Sequence, residues 1–326
     1  MRHWLSGLAV LFLLPLAHAA EPLAGRLGAS GAAALLHYER QHGQSRVTAE
    51  PMLFVYFKEP ANMGVFYAIS DDGYSWRTLN NDKPWIGIEH QGELIRDPFI
   101  IRGPDKEFHM VWTWAWRGQS IGYAHSRDLV TWSEQREIPL MANTPGTRNT
   151  WAPEIYWNAA KSKWLIIWSS TVEGKHTGNR IYSAETTDFK TVSQPRIFFD
   201  PGYEVIDATL VFTRGRHYMI FKDERAEPVH KFMKIADGPT LEGPWGNISE
   251  EFTVSWSEGP SIAEVGGDYI VYYDHYRGPR RYEAVRSPDL KQWTPVTDRM
   301  RFPEACKHGS FLKITERERD LLLKAR

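Results

Sequence analysis

Five short stretches of this chain are variations on one pattern. They are Arg96-Asp97-Pro98-Phe99-Ile100, Trp151-Ala152-Pro153-Glu154-Ile155, Ile206-Asp207-Ala208-Thr209-Leu210, Glu258-Gly259-Pro260-Ser261-Ile262 and His308-Gly309-Ser310-Phe311-Leu312. Each reads as the mouth of a buried strand, because proline is tolerated at a strand's first positions but not within a central ladder. Residues 97, 152, 207, 259 and 309 mark the matched position, at intervals of 55, 55, 52 and 50 residues. A near-constant period of this length is what four-stranded propeller blades produce.

The intervening sequence agrees. Strand-like runs such as Met52–Lys58, Glu107–Ala115, Trp164–Ser169, His217–Lys222 and Tyr269–Asp274 alternate with Gly- and Asp-rich turns. No amphipathic helix interrupts them, which argues for an all-β fold. A second marker recurs late in the units: Asp72-Gly73-Tyr74-Ser75-Trp76, Ser126 to Trp132, Thr187-Asp188-Phe189-Lys190 and Ser287 to Trp293. It reads as an Asp-anchored turn into the outer strand, with Trp covering the blade edge. The fifth inner strand, from His308, has too few residues after it for a blade, whereas 52–79 has outer strands without an inner one. Joining the two gives a five-bladed β-propeller over 51–315, closed by N-terminal strands pairing with the C-terminal inner strand. Residues 316–326 read as a charged tail, helical or frayed.

Residues 1–19 differ. Arg2 and His3 precede an apolar run from Leu5 to Leu16, followed by Ala17-His18-Ala19. This describes a secretory signal peptide, the run being too short to span a bilayer. An exported protein, periplasmic or secreted, is expected, with residues 20–50 as a lead-in. Net charge is −1, so nothing draws the chain to nucleic acid or, once the leader is removed, to a membrane. The single cysteine, Cys306, excludes an internal disulfide and a cysteine-rich metal site. It reads as a small buried residue.

Inner strands line a propeller's channel, so their first residues meet. Asp97, Trp151, Asp207, Glu258 and His308 are therefore expected in one funnel. Three carboxyl groups at matched positions, beside an aromatic and an imidazole, point to an active site. The ordered set Arg96-Asp97-Pro98, Trp151-Ala152-Pro153-Glu154, Val205-Ile206-Asp207, Glu258-Gly259-Pro260 and His308-Gly309-Ser310 resembles the successive blade-start motifs of glycoside hydrolase family 43 over about residues 52–314. That family comprises five-bladed propellers acting on arabinofuranosides, xylosides and related sugars.

The resemblance implies Asp97 as general base, Glu258 as general acid and Asp207 as the residue that orients the acid and tunes its pKa. It further implies an inverting single displacement, in which one carboxyl group protonates the leaving oxygen and the other activates water. Like-charge repulsion from Asp207 is expected to keep Glu258 protonated. His308 is expected low in the channel, holding water or an ion. No cofactor is required for the chemistry, although the channel leaves room for a structural calcium or other ion. Trp151 is expected to form a wall of the sugar pocket, with Trp114 and Arg280 as further substrate-binding residues. Trp112, Trp114 and Trp116 alternate on one strand face, so Trp114 or Trp116 is expected to reach the rim while Trp112 packs. Alternation from Trp151 turns Glu154 into the blade. The expected partner is a plant or microbial polysaccharide or oligosaccharide, and the protein a monomer. The favoured activity is an exo-acting α-L-arabinofuranosidase, or a related β-galactofuranosidase or β-xylosidase. The alternative is a non-catalytic glycan-binding propeller, against which the three carboxyl groups speak.

Overall fold

The repeated stretch is a strand with a register fault near its start. This is seen in the computed structural model, which describes residues 50–325. The chain opens with β1 (Met52–Phe57), β2 (Phe66–Ser70) and β3 (Arg77–Thr78). Blade I follows as β4 (Arg96–Arg102), β5 (Phe108–Thr113), β6 (Ile121–Ser126) and β7 (Arg136–Ile138). Blade II is β8 (Trp151–Asn158), β9 (Lys163–Ser170), β10 (Arg180–Thr186) and β11 (Arg196–Phe199). Blade III has three strands, β12 (Val205–Thr213), β13 (Arg216–Asp223) and β14 (Phe232–Gly238). Blade IV is β15 (Ser257–Val265), β16 (Asp268–His275), β17 (Arg281–Ser287) and β18 (Thr294–Pro295). The last strand, β19 (Lys307–Lys313), pairs antiparallel with β1, from Met52 opposite Lys313 to Phe57 opposite Lys307. Its sheet runs β19-β1-β2-β3, which we call blade V.

In blades I to IV the fault is a bulge on the inner strand, and the residue at its centre has a left-handed φ: Asp97 at 51°, Ala152 at 46°, Asp207 at 54° and Gly259 at 60°. Three of these are not glycine, so each holds a conformation that L-residues rarely adopt. Hydrogen bonds between blades hold them there. Ala152 N donates to Thr113 Oγ1 at 2.8 Å, Asp207 N to Ser169 Oγ at 3.1 Å, and Gly259 N to Asp207 Oδ2 at 3.0 Å. Blade V is joined to blade I differently. Ser310 Oγ accepts from Ile100 N at 3.0 Å and donates to Pro98 O at 3.1 Å.

The outer-strand marker is a double cap. Ser126 Oγ accepts from Leu129 N, while Asp128 Oδ1 accepts from the amides of Val130 and Thr131. Ser70 and Asp72, Thr186 and Asp188, and Ser287 and Asp289 repeat it. Blade III lacks both the marker and a fourth strand, with only a bridge from Asp237 to Gly246 at that edge. Residues 316–325 take the helical of the two forms expected for them. They form helix α1 (Glu316–Ala325), started by a reciprocal cap between Thr315 and Glu318. The helix is anchored by a two-pronged Arg102–Glu318 pair at 2.8 and 2.7 Å and by buried Leu322. Among the described residues no helix is long and apolar enough to cross a membrane. The signal-peptide reading and nearly all of the lead-in fall outside the described residues.

Gly309 marks the tightest point of the β19–β1 pairing. A Cβ there would lie 2.0 Å from the Val55 carbonyl oxygen. Gly309→Ala is expected to cost about 1–3 kcal/mol, the ordinary price of overpacking. A fall in the urea unfolding midpoint would register it, and an unchanged midpoint would show that the pairing has slack.

Candidate active site

The bulges sort the five strand-start residues into two levels. Asp97 and Asp207 occupy the bulge itself and are nearly buried, whereas Trp151 and Glu258 stand one residue earlier and are partly open. His308 holds the corresponding earlier position on β19, yet it reaches inward and contacts Asp97, Nδ1 to Oδ1 at 3.1 Å. The other Asp97 oxygen accepts from the Thr113 hydroxyl at 2.7 Å. The same hydroxyl accepts the Ala152 amide, so one buried side chain ties the blade II bulge to the blade I carboxylate.

Burial pushes the Asp97 carboxyl up, but His308, Arg96 and Thr113 together hold it below the usual carboxylate range. Burial by itself would lower the His308 imidazole. Asp97 first, then Asp207 and Glu154, raise it to about 9, so the ring is a cation at neutral pH. Asp207 is pushed up to about 6 by burial and by Glu258 and Asp97, against the pull of His308 and Lys222. The imidazolium is thus the cation in contact with the Asp97 carboxylate. Among the described residues, no group of three or more His, Cys, Asp or Glu is arranged to hold a metal ion.

Glu258 has a partner that the sequence did not single out. Lys222 is fully buried, and its Nζ lies 3.1 Å from Glu258 Oε2 and 2.7 Å from Glu224 Oε2. Its ammonium also lies 4.5 Å from the ring centre of Tyr276. Besides the like-charged Asp207 expected near it, Glu258 thus has a buried cation at its carboxyl group. Asp207 does hold the strand that carries Glu258, since its Oδ2 accepts the amide of Gly259, the residue after Glu258. Lys222 closes a strand-like run in the sequence, where its direction could not be read.

Three other expectations change. Glu154 does not point into the blade. It is buried, takes a hydrogen bond from the Tyr156 hydroxyl, and is raised to about 8 by burial, with Tyr156 and His308 opposing and Asp207 adding. The bulge between Trp151 and Glu154 shifts the alternation by one residue. Trp114 lies beyond the end of β5, where alternation no longer applies. It packs against the blade I core, with ring centres 5.3 Å from His90 and 6.3 Å from Trp112. The rim aromatic is Trp116, 53% exposed, whose ring centre is 5.2 Å from that of Trp151 and whose carbonyl accepts Trp151 Nε1 at 2.9 Å. Arg96 joins this wall, its guanidinium 4.8 Å from the Trp116 ring centre and hydrogen-bonded to Glu59. Arg280 is exposed on the β16–β17 loop and lines a cavity of about 420 Å³ with Glu59, Asp274, Cys306 and Lys307.

The family described as a probable glycosyl hydrolase domain matches residues 49–320. An α-L-arabinofuranosidase of Bifidobacterium longum is 24% identical over 202 residues, 53% of this chain. The match spans only 19% of that relative's length. A thermostable family-43 glycoside hydrolase has a TM-score of 0.52 at 18% identity, covering 62% of this chain and 72% of its own. A family-43 β-1,3-galactosidase crystallised with galactodeoxynojirimycin has a TM-score of 0.53 at 13% identity, covering 76% of this chain and 94% of its own. The catalytic domain of a Coprinopsis cinerea α-L-arabinofuranosidase has a TM-score of 0.52 at 13% identity, covering 77% and 78%. These likenesses show the propeller fold.

Thr113→Val tests the shared hydroxyl. It strands the Ala152 amide in a buried setting, which costs about 1–3 kcal/mol. Asp97 also loses a donor to its ionised form, so its pKa rises. The acid limb of the kcat/KM profile should move to higher pH, and an unmoved limb would separate Asp97 from catalysis.

Proposed function

Because the chain belongs to the glycosyl hydrolase 43-related family and is therefore a glycosidase, we propose that it removes terminal furanosyl or xylosyl residues by an inverting single displacement, α-L-arabinofuranosides foremost. The observation that carries this reading is the unequal treatment of two carboxyl groups. Asp97 is buried and held ionised by an imidazolium, while Glu258 stands at the mouth of another blade, where a leaving group can reach it.

Asp97 takes a proton from water as the water oxygen bonds to the anomeric carbon. Glu258 gives its proton to the glycosidic oxygen as the carbon–oxygen bond breaks, which leaves Asp97 protonated and Glu258 ionised. The two protons exchange back through solvent. His308 and Thr113 fix the Asp97 carboxylate, Lys222 balances the charge that Glu258 acquires, and Asp207 holds the bulge on which Glu258 sits. The carboxyl groups and water suffice for this reaction. Trp151 and Trp116 offer the sugar an apolar wall, and Arg96 offers it a donor. The basic start, apolar run and Ala17-His18-Ala19 exit support export, and a polysaccharide substrate outside the cell suits it. A mature N-terminus at Ala20 in the exported protein would test that part.

The screen that tests the whole reading uses 4-nitrophenyl α-L-arabinofuranoside, β-D-xyloside and β-D-galactofuranoside, with the product anomer followed by NMR. Turnover of the first with inversion is expected, and a retained anomer would overturn the mechanism. Glu258→Gln should lose about 10²–10⁴-fold on a natural glycoside. On the nitrophenyl substrate the loss should be smaller, because that leaving group hardly needs a proton. Asp97→Asn should lose heavily on both. Saturable sugar binding by wild type without turnover of any of these glycosides would favour the glycan-binding propeller.

A further inference from the structure

The acid of a glycosidase stands against the glycosidic oxygen, so the leaving group must extend past it. Beside Glu258, just ahead of β15, stands Trp256. Its carbonyl accepts the Tyr276 amide at 3.1 Å, which continues the pairing of Ser257 with His275 and Glu258 with Asp274. Trp256 has a φ of 70°, a conformation rare for so bulky a residue and one that recurs at binding and catalytic positions. Core tryptophans of the same fold, Trp112 and Trp168, are fully buried, whereas part of the Trp256 indole stays open. The Arg277 guanidinium lies 4.1 Å from the indole centre. Among the described residues Arg277 is exposed and has no carboxylate partner.

The pair is fixed relative to the acid by a run of contacts. Tyr276 meets Trp256 edge-on with ring centres 5.7 Å apart, Lys222 lies over Tyr276, and Lys222 pairs with Glu258. In blade I, Arg96 and Trp116 make a second arginine–tryptophan pair, and Arg96 is next in sequence to Asp97. One such pair therefore adjoins the base and the other adjoins the acid. Water attacks from the base side and the aglycone departs on the acid side.

We propose that Trp256 and Arg277 form the subsite for the leaving group, and that this group is itself a neutral sugar ring of a glycan chain. The C–H face of a pyranose suits an indole, while a guanidinium with free N–H groups suits its hydroxyls. The proposal rests on Glu258 being the acid, as argued above.

The test compares wild type, Trp256→Gly, Trp256→Phe and Arg277→Ala on two substrates with one glycone. The first is α-L-arabinofuranosyl-xylotriose, whose leaving group is a sugar chain, and the second is α-L-arabinofuranosyl fluoride, whose leaving group has no ring. The ratio of kcat/KM for the first to that for the second is expected to fall about ten-fold or more in Trp256→Gly and Arg277→Ala, a loss of the size of one stacking contact, and to recover in part in Trp256→Phe. An unchanged ratio overturns the proposal. Arg277 is on the surface, so its variant reads the subsite even if Trp256→Gly fails to fold. If the glycone is a different sugar, wild type turns over neither substrate, and xylotriose quenching of tryptophan fluorescence then decides. Saturable quenching that weakens about ten-fold in Arg277→Ala supports the subsite, and no quenching in wild type overturns it.

Discussion

One imidazolium makes it feasible for three carboxyl groups to share the buried end of this channel. Asp97, Asp207 and Glu154 all act electrostatically on His308, and each is out of water. Uncompensated carboxylates there would be strongly destabilising, because a buried charge needs a partner. With His308 charged, Asp97 keeps its negative charge, whereas burial raises Asp207 and Glu154 towards neutral forms against the pull of His308. His308 sits on β19, the strand that pairs with β1. The charge balance of the site thus depends on the same strand pairing that joins the two ends of the propeller chain.

The bulge is the device that distributes roles among similar strands. A residue at the bulge, held at left-handed φ, faces the interior, as Asp97 and Asp207 do. The residue just before it stays at the mouth, as Trp151 and Glu258 do. Where the bulge carries no acid, it carries Ala152 or Gly259, and the chemistry moves one position earlier. Strain at the bulges is offset by the amides they present to neighbouring blades, to Thr113, Ser169 and Asp207. Each of those acceptors also touches, or is itself, part of the charged cluster or its backbone. Blade packing and site geometry therefore rest on shared hydrogen bonds.

Much of this was legible in the sequence because it repeats. The period located the five inner strands, and the Asp-anchored marker located outer turns that the structure caps twice over. Asp97, Asp207, Glu258, His308 and Trp151 come from that repeat, and the structure brings them to one mouth. What stayed hidden depends on where periodicity breaks. A bulge inverts alternation, so Glu154 was turned the wrong way, and β5 ends before Trp114, so the rim fell to Trp116. Lys222 ends a strand-like run, and nothing in that run shows that its ammonium is buried between two glutamates. Arg280 was drawn towards the site by loop composition alone. Blade III lacks the outer marker, and its missing fourth strand could have been read from that.

Protonation of His308 is the most direct point of attack, since the ionised state and the orientation of Asp97 both follow from it. The two imidazole nitrogens can be followed by ¹⁵N NMR in protein labelled at histidine, with His308→Gln to assign the signals. Both nitrogens are predicted to carry protons at neutral pH, with a titration midpoint at about 9. A His308 ring that is already neutral at pH 7 would contradict the charge balance proposed for this site.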